Sequence, residues 1–182
     1  MKKMIMMLAA MLVIAGCSSE VTPPEEAGGA AQTESATTDV LSKVVGKTVA
    51  TTDNMAIPPV KKTAIPGQAV TLNGKVMGTM HPFVKNRAVM IIGDEATIVS
   101  CDMMGDDDHC QTPWDVCCED KEKIQAGTAT IQVVDENGQP VRAGLKGVGG
   151  LKELSKVRVS GVVDKGSSPG LLIVNAEAIE VL

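Results

Sequence analysis

The chain has 182 residues, with 17 basic and 22 acidic side chains and a formal charge of −5. It has no Tyr, and Phe83 and Trp114 are its only aromatic residues. Single-stranded nucleic acid is held by aromatic stacking platforms and a positive field, so nucleic acid is not expected among its partners. A core must come from Val, Ile, Leu and Ala, which bury less area apiece than aromatic rings.

The first 16 residues follow a secretory plan, with a basic start at Lys2 and Lys3, an apolar run from Met4 to Val13, and a small-residue end. The run is too short to cross a bilayer as a mature helix. Ile14-Ala15-Gly16-Cys17 closely resembles the bacterial lipobox. The resemblance implies cleavage before Cys17, lipid transfer to its sulfur, and acylation, as with palmitate, of the new amino terminus. Ser18 follows in place of an Asp, which implies sorting to the outer membrane, facing the periplasm. Each buried methylene adds about 0.8 kcal/mol, and two or more chains make the anchor stable. Cys17 is therefore the expected lipidation site and the membrane an expected partner. Loss of Lys2 and Lys3 leaves 15 basic against 22 acidic groups, a charge of −7. Of the 5 cysteines, 4 remain beside Cys17, and an even set in an exported chain favours disulfides.

Residues 17–66 read as the lipidated cysteine followed by a flexible tether. From Ser18 to about Asp39 only Val21 is large and apolar, too little to offset the entropy of ordering. Val40, Leu41, Val44 and Val45 have a spacing consistent with one or two helical turns, which Gly46 weakens. Gly46-Lys47-Thr48 ends like a phosphate-binding loop, but Leu41 stands where that motif needs its first Gly. Pro58, Pro59 and Pro66 are expected to keep the next stretch extended and stiff.

Period-two patterning starts at Gln68 and defines a domain over residues 67–182. Val70, Leu72 and Val76 alternate with Thr71, Asn73 and Lys75, and Gly74 marks a bend in the strand. Ala88 to Ile92 is a continuous apolar run suited to a strand covered on both faces. Ala129, Ile131 and Val133 alternate with Thr128, Thr130 and Gln132, before an Asn137-Gly138 turn. Gly144 to Leu154 fits a loop with at most a short helix. Lys156 to Val163 and Leu171 to Leu182 close the chain as two strands.

Val70-Thr-Leu-Asn-Gly-Lys-Val76 and Val157-Arg-Val-Ser-Gly-Val-Val163 resemble the opening and fourth strands of bacterial OB-fold families, including a periplasmic one. The resemblance implies an all-β fold, a small Greek-key barrel carrying a cysteine-rich insertion at about residues 94–126. Six candidate strands compete for five places. Either the Arg87 run belongs to the insertion, or Val141 to Leu145 is an extra edge.

The insertion carries Cys101, Cys110, Cys117 and Cys118 in a C-x8-C-x6-C-C pattern. A Cys117–Cys118 bond would close a strained ring, so the expected structural disulfides run from Cys101 and Cys110 to that pair, in either order, with Trp114 packing over the sulfurs. The alternative is a zinc or copper site on the same four cysteines, with His109 able to replace one thiolate and Met103 and Met104 nearby. No cofactor follows from the disulfide reading. The C-x2-4-C knuckles of zinc motifs and the C-x2-C of redox enzymes are both absent. Asp106-Asp107-Asp108 lacks the spaced ligands of a calcium loop. No nucleophile, base and orienting group line up, so catalytic residues are not expected. Lys146, Lys152, Lys156 and Arg158 read as solvated charges, with one local basic face as the alternative. The expected function is a non-catalytic, lipid-anchored envelope module that binds a protein or small ligand, with Trp114 and His109 as candidate recognition residues.

Overall fold

The computed structural model describes residues 30–51, 55–105 and 110–182, with side chains from residue 37 onward. The expected signal segment, Cys17, the expected tether up to residue 29, and Asp106 to His109 lie outside the described residues.

Five strands close into a barrel: β1 (Ala69–Val76), β2 (Val89–Gly93), β3 (Thr128–Gln132), β4 (Lys156–Val163) and β5 (Ile173–Val181). Their order is β1-β2-β3-β5-β4, with β4 returning to β1. Only β3 and β5 run parallel. This is the small all-β, OB-like barrel that the resemblance of the Val70–Val76 and Val157–Val163 stretches implied. Alternate residues supply the core: Leu72 and Val76, Met90 and Ile92, Ala129 and Ile131, Val157 and Val159, and Val174 and Ala176 are all buried.

Two glycines allow the strands to close. β1 pairs with β4 from Ala69 to Lys75, then meets β2 only at Lys75 and Val76. Gly74 lies at this handover, where a Cβ would stand 3.0 Å from Ile92 Cδ1 and 3.1 Å from Gly93 O. In β4 the register shifts between Ser160 and Gly161, and a Cβ on Gly161 would stand 2.2 Å from Asn175 O. No side chain fits so close to a backbone oxygen.

The sixth candidate strand is not one. The Arg87 run supplies β2, whereas the Val141 to Leu145 stretch contributes no strand. Val141 instead packs as a buried loop residue, donating to Val133 O at 2.9 Å and accepting from Ala88 N–H at 2.8 Å.

The segment before residue 67 departs from the expected tether. Helix α1 (Ala30–Val44) begins inside it, and α2 (Ile57–Thr63) follows. Leu41, Val45, Ile57 and Val60 are buried in the main core, and Val45 bridges Ile179 of β5. Spaced apolar groups in a polar stretch gain enough by covering an open barrel face to become ordered. Pro58 and Pro59, expected to hold an extended chain, occupy the first turn of α2, where a missing N–H forfeits no helical bond. No helix among the described residues is long and apolar enough to cross a membrane.

Candidate metal centre

The cysteine loop spans the connection from β2 to β3. It opens at Asp94, whose carboxylate accepts Ile57 N–H at 3.1 Å and Ala96 N–H at 3.0 Å, tying α2 to the start of the loop. A 3-10 turn at Cys101–Met103 follows, and α3 (Lys121–Gly127) returns the chain to β3. Met77, Ile98 and Val116 form a second, smaller apolar cluster, with Trp114 and Ile124 packed against it. The loop therefore has its own floor, separate from the barrel core.

Two arms lie side by side on this floor. Cys101 N–H donates to Asp115 O at 2.9 Å, and Asp102 N–H donates to Pro113 O at 2.9 Å. Glu119 accepts Val99 N–H at 3.0 Å and Lys123 at 3.2 Å. Backbone pairing thus brings together thiols that are sixteen residues apart in sequence.

Lys75 of β1 fastens the first arm. Its side chain is only 6% exposed, and Nζ donates to Ser100 Oγ at 3.0 Å and to Asp102 at 2.9 and 3.1 Å. Partial burial pushes the Asp102 carboxyl up, but bonds from Ser100 and Lys75 outweigh it and hold the group below its ordinary range. Alternation placed Lys75 on the outer face with Thr71 and Asn73, and sequence reasoning missed this role. The residue does face outward, but the loop folds back over it.

The sulfurs converge. Cys101 Sγ lies 3.8 Å from Cys117 Sγ, which lies 3.9 Å from Cys118 Sγ. All three sulfurs fall within 4.8 Å of one another. Cys110 Sγ interacts with Cys101 and Cys117 and donates to Thr112 O at 3.4 Å. All four are free thiols, with Cys101, Cys117 and Cys118 in contact and Cys110 beside them; a disulfide requires a separation of about 2.05 Å. Cys117 and Cys118 are exposed, and Cys101 and Cys110 are half-buried.

Crowding perturbs the thiols. Burial, followed by the neighbouring Cys110 and Cys117, pushes Cys101 up to about 12. The bond from Cys101 lowers Cys110. The same neighbour pulls Cys117 down, but Cys118, desolvation and Cys110 raise it overall. Without a cation, a cluster of potential anions retains protons; a divalent ion among them reverses that preference.

Of the expected site residues, Cys101, Cys117 and Cys118 come together with Cys110 beside them, while His109 lies outside the described residues. Trp114 packs on Met77, Ile98 and Val116, and its indole N–H is committed to Met80 O at 2.9 Å. Its exposed part lines a groove of about 460 Å³ with His81, Phe83, Val84, Lys146 and Glu153. The alternative basic face is largely neutralised, since Lys146 pairs with Glu153 at 2.6 Å, Lys156 with Glu95 at 3.0 Å and Arg158 with Glu180 at 3.2 Å.

No family model matches the chain, and no curated protein matches it. The arrangement defines an OB-like barrel with three converging thiols, and a fourth beside them, on its β2–β3 connection.

Proposed function

We propose that this is a lipid-anchored, non-catalytic protein of the cell envelope whose working part is a metal–thiolate centre formed by Cys101, Cys110, Cys117 and Cys118. The supporting observation is the spacing of three of these sulfurs, 3.8 Å from Cys101 to Cys117 and 3.9 Å from Cys117 to Cys118, with Cys110 beside them as the fourth donor. A tetrahedral cation with bonds of about 2.3 Å to thiolates holds its ligands about 3.8 Å apart. Thiolate donors select zinc or Cu(I) over hard cations such as calcium and magnesium. The barrel serves as the rigid mount, and the anchor at Cys17 holds it at the outer membrane on the periplasmic side. The partner is then the ion itself, together with any envelope protein that delivers or receives it.

The test is to express the full chain with its own export signal and purify it without reductant. Intact mass after alkylation is then measured alongside metal content. One equivalent of zinc or copper is expected, with thiols that resist alkylation until a chelator is added. Two outcomes would reject the reading: absence of metal with no thiol available for alkylation, or four freely alkylated thiols that take up no added zinc or copper.

A further inference from the structure

Thiols in contact can share a cation or join one another, and the loop is built so that both states are within reach. We infer that the cluster is a metal–disulfide exchange centre, in which a small disulfide oxidant expels the cation by joining Cys101 to Cys117 and then Cys110 to Cys118. This rests on the reading of the cluster as a metal site.

The first bond follows from placement, and the second joins the two cysteines that remain. Cys101 and Cys117 Sγ are 3.8 Å apart, so a shift of about 1.8 Å brings them to bonding distance. The backbone bonds from Cys101 to Asp115 and from Asp102 to Pro113 keep their two arms adjacent throughout. Cys117 and Cys118 lie in an exposed turn just after the buried Val116, so the shift need not disturb the floor. Cys118 is nearly as close to Cys117, at 3.9 Å, but a bond between neighbouring residues closes a strained ring. Cys117 therefore selects Cys101, leaving Cys110 and Cys118 as the second pair.

The chemistry balances with a low-molecular-weight disulfide, R–S–S–R, as the oxidant. The exposed Cys117 thiolate attacks one of its sulfurs, forming a mixed disulfide and releasing RS⁻. Cys101 thiolate then attacks Cys117 Sγ, which forms the protein disulfide and releases a second RS⁻. Two electrons pass from the protein to the oxidant, and both RS⁻ take protons from water according to their pKa. A second equivalent joins Cys110 to Cys118 in the same way. The cation loses its thiolate ligands and leaves hydrated. Reduction reverses the sequence and restores the site, so occupancy follows the thiol–disulfide balance of the compartment.

The experiment uses the full-length, zinc-loaded protein titrated with oxidised glutathione. Zinc release is read with a chromogenic chelator, thiols are counted by alkylation, and bonds are mapped by peptide mass. One zinc should be released as four thiols disappear, with Cys101–Cys117 the first bond, and dithiothreitol should restore uptake of one zinc. The inference is overturned if zinc stays bound while thiols are lost, if both persist under excess oxidant, or if Cys117–Cys118 forms first. A reduced protein that takes up no zinc overturns the metal reading itself, a result distinct from these three. Cys110→Ser should still form the Cys101–Cys117 bond; its loss in a folded variant would also count against the pairing.

Discussion

Lys75 Nζ lies 2.9 Å from Asp102 Oδ2, joining β1 of the barrel to the turn that carries Cys101. The ammonium is nearly enclosed, with its side chain 6% exposed, whereas Asp102 is 26% exposed. The two ends of this pair therefore differ in how well they tolerate the loss of their partner.

Asp102→Asn strands a buried cation and should cost about 3 kcal/mol, whereas Lys75→Met leaves a carboxylate that water can reach and should cost about 2 kcal/mol. The double variant should recover part of the loss because it strands neither charge. Urea midpoints of the four proteins test this order. Equal losses in the two single variants would mean that the pair is hydrated like a surface bridge. Zinc affinity should also fall in Lys75→Met, since the turn bearing Cys101 loses its tie to the barrel.

Zinc should raise the melting temperature of the reduced protein. At a free concentration one hundred times the dissociation constant, binding to the folded state alone adds about 2.7 kcal/mol. Cys117→Ser removes the sulfur closest to two others and should abolish most of this increase while leaving the far-ultraviolet spectrum of the barrel intact. Thermal scans with and without chelator provide the measurement. An undiminished zinc effect in the variant would show that Cys117 is not a ligand.

Gly161→Ala should destabilise the barrel by about 3 kcal/mol or more, because its Cβ would stand 2.2 Å from Asn175 O. That oxygen belongs to the β5 backbone and cannot move alone. Gly138→Ala, where a Cβ meets nothing within 4 Å, carries only the strain of its positive φ and should cost less. Denaturation of the two variants side by side checks the ranking.

Asp135 supplies a pH dependence. Its carboxylate accepts N–H bonds from Gln139 at 3.0 Å and Asn137 at 2.8 Å, which hold its pKa below the ordinary 3.8. A group depressed on folding contributes its stability above its unfolded pKa and loses it as pH falls through the folded value. Asp135→Asn should therefore be less stable at neutral pH and should show a shallower loss of stability below 3.8. Parallel acid profiles of the two proteins that keep a constant gap would refute this assignment.

Labelled palmitate should enter the wild-type chain and be absent from Cys17→Ser, and the variant should move from the membrane to the soluble fraction. Unchanged labelling would place the acyl group elsewhere.

The barrel was legible in the sequence because a strand with one buried face must alternate, and Val70, Leu72, Val157 and Val159 do so without exception. Export and anchoring are likewise local expectations, since the charge, apolar run and lipobox resemblance are contiguous. The segment from Val40 to Pro66 was legible only in part, since the spacing of Val40, Leu41, Val44 and Val45 fitted the end of α1 while α2 went unforeseen. Its few apolar groups bring order only when a barrel face is present to cover, and the turn formed by Pro58 and Pro59 depends on the same docking. The cysteine loop divides in the same way. Its spacing identified which four residues belong together, but C-x8-C-x6-C-C leaves disulfide and metal both open. Only the tertiary fold decided their separation, by pairing Cys101 with Asp115 along the backbone and setting the loop on Met77, Ile98 and Val116. Lys75 gave no sign in the sequence beyond an outward position on a strand, because its partner lies twenty-seven residues away and reaches it only when the loop folds back.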